Sequence, residues 1–139
     1  MRTVTRVSLV LAICLGFSLA ALAAGGRQDV EATPQAKAYR AALKAIAAGD
    51  FEAYKKALSS ATLKQMEEQT KGKSSKEVME FVKMMSPADQ KLTSVKVDGK
   101  KATLMASGKM DGQAMNGSIS MEEESGQWKV GQPSWQPAK

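Results

Sequence analysis

Two hydrophobic periods follow one another along the chain. From Pro34 to Met85 the apolar positions recur every three or four residues, and after Pro87 they recur every second residue. Tyr39, Ala42, Leu43, Ile46 and Ala47 form one helical face, and the spacing predicts a helix over 34–48 with Thr33 as N-cap and Pro34 in the first turn. Gly49 supplies a left-handed stop, and Asp50 caps a second helix whose stripe is Phe51, Tyr54, Ala57 and Leu58. A third, weakly amphipathic helix is predicted over 61–71, with Leu63 and Met66 on its apolar side and Gly72 ending it. Ser74-Ser75-Lys76-Glu77 matches a capping box, followed by the apolar face Val78, Met79, Phe81, Val82 and Met85, and Ser86-Pro87 closes that helix.

Beyond Pro87, four alternating runs are separated by three glycine turns. Val95 and Val97 precede Asp98-Gly99, and Ala102, Leu104 and Ala106 precede Asp111-Gly112. Met115, Gly117, Ile119 and Met121 precede Ser125-Gly126, and Trp128 and Val130 come last. Each strand has one apolar and one polar face, as expected of a sheet covered by helices on one side only. The fold class is therefore α+β. N-terminal helices pack on a curved antiparallel four-stranded meander, in a single domain over 34–136.

The N-terminal stretch has a different layout. Arg2 and Arg6 precede an uncharged apolar run from Val7 to Leu22, and Ala21-Leu22-Ala23 satisfies the small-x-small rule for a signal peptidase. Residues 1–23 read as a secretory signal peptide, too short in its apolar run for a membrane span, and 24–33 read as a flexible lead-in. The expected location is outside the cytoplasm, periplasmic or secreted, with no membrane span after cleavage. The single cysteine, Cys14, falls inside the apolar run. Leu11-Ala12-Ile13-Cys14 is a poor lipobox because Ile13 stands where a small residue belongs, so lipidation is not the reading adopted.

Loss of the signal peptide takes Arg2 and Arg6 from 20 basic residues against 14 acidic ones, leaving a net charge of +4. That mild excess, without a dense basic patch, reads as a solvated surface and not as a nucleic-acid interface. The chain has no histidine and, after cleavage, no cysteine. The usual zinc sites and the Ser-His-Asp and Cys-His catalytic arrangements are thereby excluded.

Ala48-Gly49-Asp50-Phe51-Glu52-Ala53-Tyr54 resembles the helix-Gly-Asp-helix opening of the nuclear-transport-factor-2-like superfamily, the cone-shaped α+β proteins that include the SnoaL-like enzymes. Val95–Leu104 (VKVDGKKATL) and Glu124–Val130 (ESGQWKV) resemble two hairpins of the same superfamily, and the likeness is nearest to its small exported bacterial members of unassigned function. The resemblance implies a sheet curled around the helices, a pocket inside the cone for a small apolar ligand, and a homodimer formed through the outer sheet face. It does not imply catalysis, because enzymatic members use an Asp-His pair or a carboxylate with a tyrosine, and no catalytic position of the family maps onto a residue of this chain.

The ligand-pocket candidates are Tyr39, Asp50, Tyr54 and Trp128. A phenol beside a carboxylate could polarise a carbonyl and take a proton, although capping alone accounts for Asp50 and packing accounts for both tyrosines. Nine methionines raise the question of Cu(I), with Met84-Met85 near Met79, or Met105, Met110 and Met115, as ligand sets. Core filling explains Met79, Met115 and Met121, so no metal and no cofactor is predicted. Met105 is out of phase with Leu104 and faces the other side of the sheet. Trp135, between Pro133 and Pro137, is placed to close the cone or to sit at an interface. These two are the partner-surface candidates. Glu122-Glu123-Glu124 cannot converge on a cation, because neighbours on a strand point to opposite faces. The reading adopted is an exported, non-enzymatic ligand-binding or partner-docking domain of the bacterial cell envelope. The alternative is a small pocket enzyme of the isomerase, dehydratase or hydrolase type using carboxylate and tyrosine.

Overall fold

The computed structural model describes residues 29–139. The predicted signal peptide, Cys14 and the start of the lead-in lie outside the described residues. The end of the lead-in is ordered: Val30–Ala32 form a 3-10 turn, and Val30 packs against the core. Arg40 holds this turn by binding both carboxylate oxygens of Glu31 through its Nε and Nη2.

Four helices follow, α1 (Pro34–Ala48), α2 (Phe51–Ala57), α3 (Ser60–Gln69) and α4 (Ser75–Met84). Their starts are set by side-chain caps. Thr33, Asp50, Ser59 and Ser74 each accept a backbone N–H of the first turn, and Ser74 with Glu77 completes the capping box. Helix α3 begins at Ser60, ahead of the predicted Ala61, because Ser59 is its cap. It ends at Gln69 with Thr70 as C-cap. The buried face of α1 is Ala36, Tyr39, Ala42, Ala45 and Ile46; Ala47, placed on that face by its spacing, is exposed. No helix among the described residues is long and apolar enough to cross a membrane.

The sheet has the order β1-β2-β3-β4, with β1 at Ala88–Asp98, β2 at Lys101–Met110, β3 at Gln113–Glu124 and β4 at Gln127–Pro137, all antiparallel. Asp111-Gly112 and Ser125-Gly126 both take positive φ at two successive residues, the geometry of two-residue hairpin turns whose twist matches that of the strands. Val95, Leu104, Ile119 and Pro133 lie in register across all four strands. Ala102, Leu104, Ala106, Ile119, Met121 and Val130 form the inner face and pack on Tyr39, Ala42 and Leu58. Leu104, Ile119 and Met121 are essentially fully buried, each contributing on the order of 1.5–3 kcal/mol.

A register shift opposite Ser120, with its extra residue on β4, and two on β1 bend the sheet around the helices. Strand β1 starts at Ala88, seven residues before the first alternating valine, and as an edge strand it has no fully buried residue. Val97 is half exposed for that reason. Strand β4 runs on through Pro133 and Trp135, since the other edge strand tolerates residues that cannot donate to a ladder.

Candidate functional site

The inner face of β4 and helices α1, α3 and α4 enclose a cavity of about 390 Å³. That volume lies within the range of small-molecule sites. Tyr39 comes from α1 and Tyr54 from α2. Gln65 and Met66 come from α3, Phe81 and Met85 from the end of α4, and Gln132 and Trp135 from β4. No aspartate, glutamate, lysine or arginine is among the lining residues.

The polar groups of the cavity are fixed by hydrogen bonds to one another and to Gln90 just outside it. The Tyr39 hydroxyl donates to Gln90 Oε1 at 2.7 Å, and Gln90 Nε2 donates to Pro87 O at 2.9 Å and to Ser86 Oγ at 3.2 Å. Arg40 Nη1 donates to the Gln90 carbonyl at 3.2 Å. Asp89 and Gln90 fall in the unpaired step between Ala88 and Lys91, with Asp89 at φ 53°, and this frees Gln90 from strand pairing to meet the phenol. Burial pushes the Tyr39 phenol up to about 12, helped by the neighbouring Tyr54 and opposed by Arg40 and the Gln90 hydrogen bond. Burial alone pushes Tyr54 up as well. Both phenols are therefore neutral at ordinary pH. They serve as hydrogen-bonding groups and not as bases. Gln132 Nε2 donates to Gln65 Oε1 at 2.7 Å, linking β4 to α3.

Of the sequence candidates, Tyr39, Tyr54 and Trp135 meet in this cavity. Asp50 is exposed, its Oδ1 accepting the Ala53 N–H at 2.9 Å, and it does not line the cavity. Trp128 packs against the core at the hairpin end of β4, also outside the lining. Met105 is 40% exposed and pairs with Ser118 and Ser94 on the outward face of the sheet. Met115 is buried on the inward face, so these two thioethers point to opposite sides and do not form a common ligand set. Gln65, Gln90 and Gln132 were not singled out from the sequence, where glutamines on α3 and at strand ends look like ordinary solvated residues. The one available hint was their neutrality in a chain rich in lysine.

No protein-family model and no curated protein matches the sequence. Solved structures match by shape. A SEC-C motif containing protein from Rhodopseudomonas palustris superposes with a TM-score of 0.50 at 13% identity, over 70% of this chain and 74% of that one. An NTF-2 like protein of unknown function from Burkholderia xenovorans gives 0.45 at 16% identity, over 76% and 85% of the two chains. A de novo designed NTF2 fold protein gives 0.45 at 16% identity, over 69% and 80%. At such identities the likeness is one of fold alone: helices followed by a curved four-stranded antiparallel sheet.

Proposed function

We propose that this chain is an exported binding module that holds a small, largely apolar ligand inside the cone without transforming it. The observation that carries the reading is the cavity of about 390 Å³ whose lining has no ionisable group except two tyrosines, neutral at ordinary pH. A carboxylate-and-tyrosine enzyme needs a carboxylate beside a phenol, and the nearest sequence candidate, Asp50, is spent on capping α2. Tyr54 and the glutamine pair supply a few directional polar groups in a largely apolar lining, the usual composition of a binding pocket. Export rests on the signal-peptide pattern of residues 1–23.

The test is thermal unfolding against a panel of neutral apolar metabolites. A ligand at a hundred times its Kd raises stability by about 2.7 kcal/mol, which is several degrees in Tm for a domain of this size. The shift should vanish in Trp135→Ala. A panel that moves Tm nowhere would reduce the cavity to a packing gap. For export, the protein made with its leader should be recovered outside the cytoplasm with Ala24 as its first residue, and recovery with Met1 intact would overturn that part.

A further inference from the structure

We infer that the ligand is a single-chain anionic amphiphile, whose apolar tail fills the cavity and whose head group rests on Lys73 at the rim; this deepens the binding function proposed above and rests on it. Two independent features of the rim point this way. The first is an apolar lip. Phe81, Met84 and Met85, at the end of α4, are 47%, 70% and 54% exposed, and Phe81 and Met85 also line the cavity. Phe81 and Met85 thus carry apolar surface from the cavity lining out to solvent. That suits a ligand with a long tail better than a compact one enclosed on all sides.

The second feature is the charge at this lip. Lys73 Nζ stands 5.4 Å from the centre of the Phe81 ring, so the cation lies against a side chain that itself lines the cavity. Among the described residues the ion pairs are Arg40–Glu31, Lys55–Glu52 and Lys76–Glu80, and Lys73 belongs to none of them. Lys73 influences the Glu77 carboxylate without pairing with it, and one Glu77 oxygen accepts both the Ser74 N–H and the Ser74 hydroxyl at 2.8 Å. The uncharged interior would strip water from a head group without repaying it, whereas the rim offers both water and a cation. Tail inward and anionic head outward is the orientation that satisfies both.

Decanoate, decanol and decyltrimethylammonium, each below its micelle-forming concentration, separate the parts by titration calorimetry and by Trp135 fluorescence in a Trp128→Phe background. Decanoate should bind about two- to fivefold more tightly than the cationic amphiphile, the scale of one exposed ion pair. Lys73→Ala should erase that ratio and leave decanol binding unchanged, and Lys73→Arg should restore it. Equal affinity for all three probes would overturn the head-group assignment while the pocket reading stands. Absence of binding by all three would overturn both. Sedimentation with phosphatidylglycerol vesicles, without binding of monomeric decanoate, would show surface adsorption and also overturn the inference.

Discussion

The indole of Trp135 lies directly over Gly117, its partner on the neighbouring strand, so closely that a Cβ on Gly117 would come within 2.5 Å of Cε3 and Cζ3. The bare glycine backbone is what lets the ring lie against the sheet and form a wall of the cavity. Gly117→Ala should therefore push the indole off the sheet. The expected outcome is a loss of about 1–3 kcal/mol by overpacking, a changed tryptophan emission and weakened ligand binding. Unchanged emission with intact stability would show that the ring is not seated on Gly117.

A similar close approach holds the sheet's bend. On β4, a Cβ at Gly131 would meet Ser120 Oγ at 2.3 Å and the Ser120 carbonyl at 2.9 Å. Ser120 is the residue left out of register between Ile119 and Met121, and its hydroxyl donates to Gln132 O at 3.2 Å. Gly131→Ala should destabilise the protein by about 1–3 kcal/mol, and more than an alanine at the open turn position Gly126 in the same denaturant titration. The reverse order would mean that backbone conformation at the turn matters more than crowding at the bulge.

Tyr39 connects the cavity to the start of β1 through Gln90. Tyr39→Phe keeps the ring and removes the donor, so about 1 kcal/mol of stability should be lost in denaturant unfolding. The same phenol sets an alkaline limit. Its pKa is about 12 in the folded protein against an ordinary value of 10.0, so between those values the unfolded chain loses a proton that the folded chain keeps. Stability is full below pH 10 and falls as pH rises towards 12, by about 2–3 kcal/mol in all. Tyr54, also raised, adds to the same slope. Tyr39→Phe should flatten the fall of Tm above pH 10, and an identical slope in the variant would remove Tyr39 as its source.

The parts of this fold that are legible in the sequence are those where one local rule acts alone. Thr33-Pro34 and the Ser74–Glu77 box start helices by hydrogen bonds within four residues, and the inward strand positions Leu104, Ile119 and Met121 follow from a period of two. Tyr39 and Tyr54 reach the cavity because each lies on the apolar stripe of its helix. Gln90 and Gln132 are different. Their roles depend on register breaks that free them; nothing in Asp89-Gln90-Lys91 marks one, and Gly131 within a strand run hints at a bulge without saying which neighbour it frees. Trp135 has the same dependence. Its choice between pocket and outer surface turns on β4 continuing past Pro133, which an edge strand permits and a local reading of proline does not suggest.

The anchoring of α3 gives a prediction on the acid side. This helix has no fully buried residue, yet it supplies one wall of the cavity. Its N-terminus is tied to the sheet instead: Ser59 N–H donates to Val130 O at 2.8 Å, and Glu124 accepts the Ser60 N–H at 2.8 Å and the Ser60 hydroxyl at 2.7 Å. A carboxylate at a helix N-terminus is favoured by the unpaired N–H groups there, and the two Ser60 hydrogen bonds hold Glu124 below its usual value of 4.5. A lowered folded pKa contributes stability that is present above 4.5 and is lost as pH falls through the folded value. Glu31 and Glu77 are lowered as well, so they share this acid window and part of the dependence should survive without Glu124. In Glu124→Gln, amides of Ser60–Gln69 should exchange faster than in the parent at pH 7, while those of α1 are unchanged. The difference should shrink as pH falls below 4.5 and through the folded value, where the parent's own anchor becomes protonated. Equal exchange in α3 at pH 7 would mean that the helix is held by Ser59 and the Gln65–Gln132 pair without help from the carboxylate.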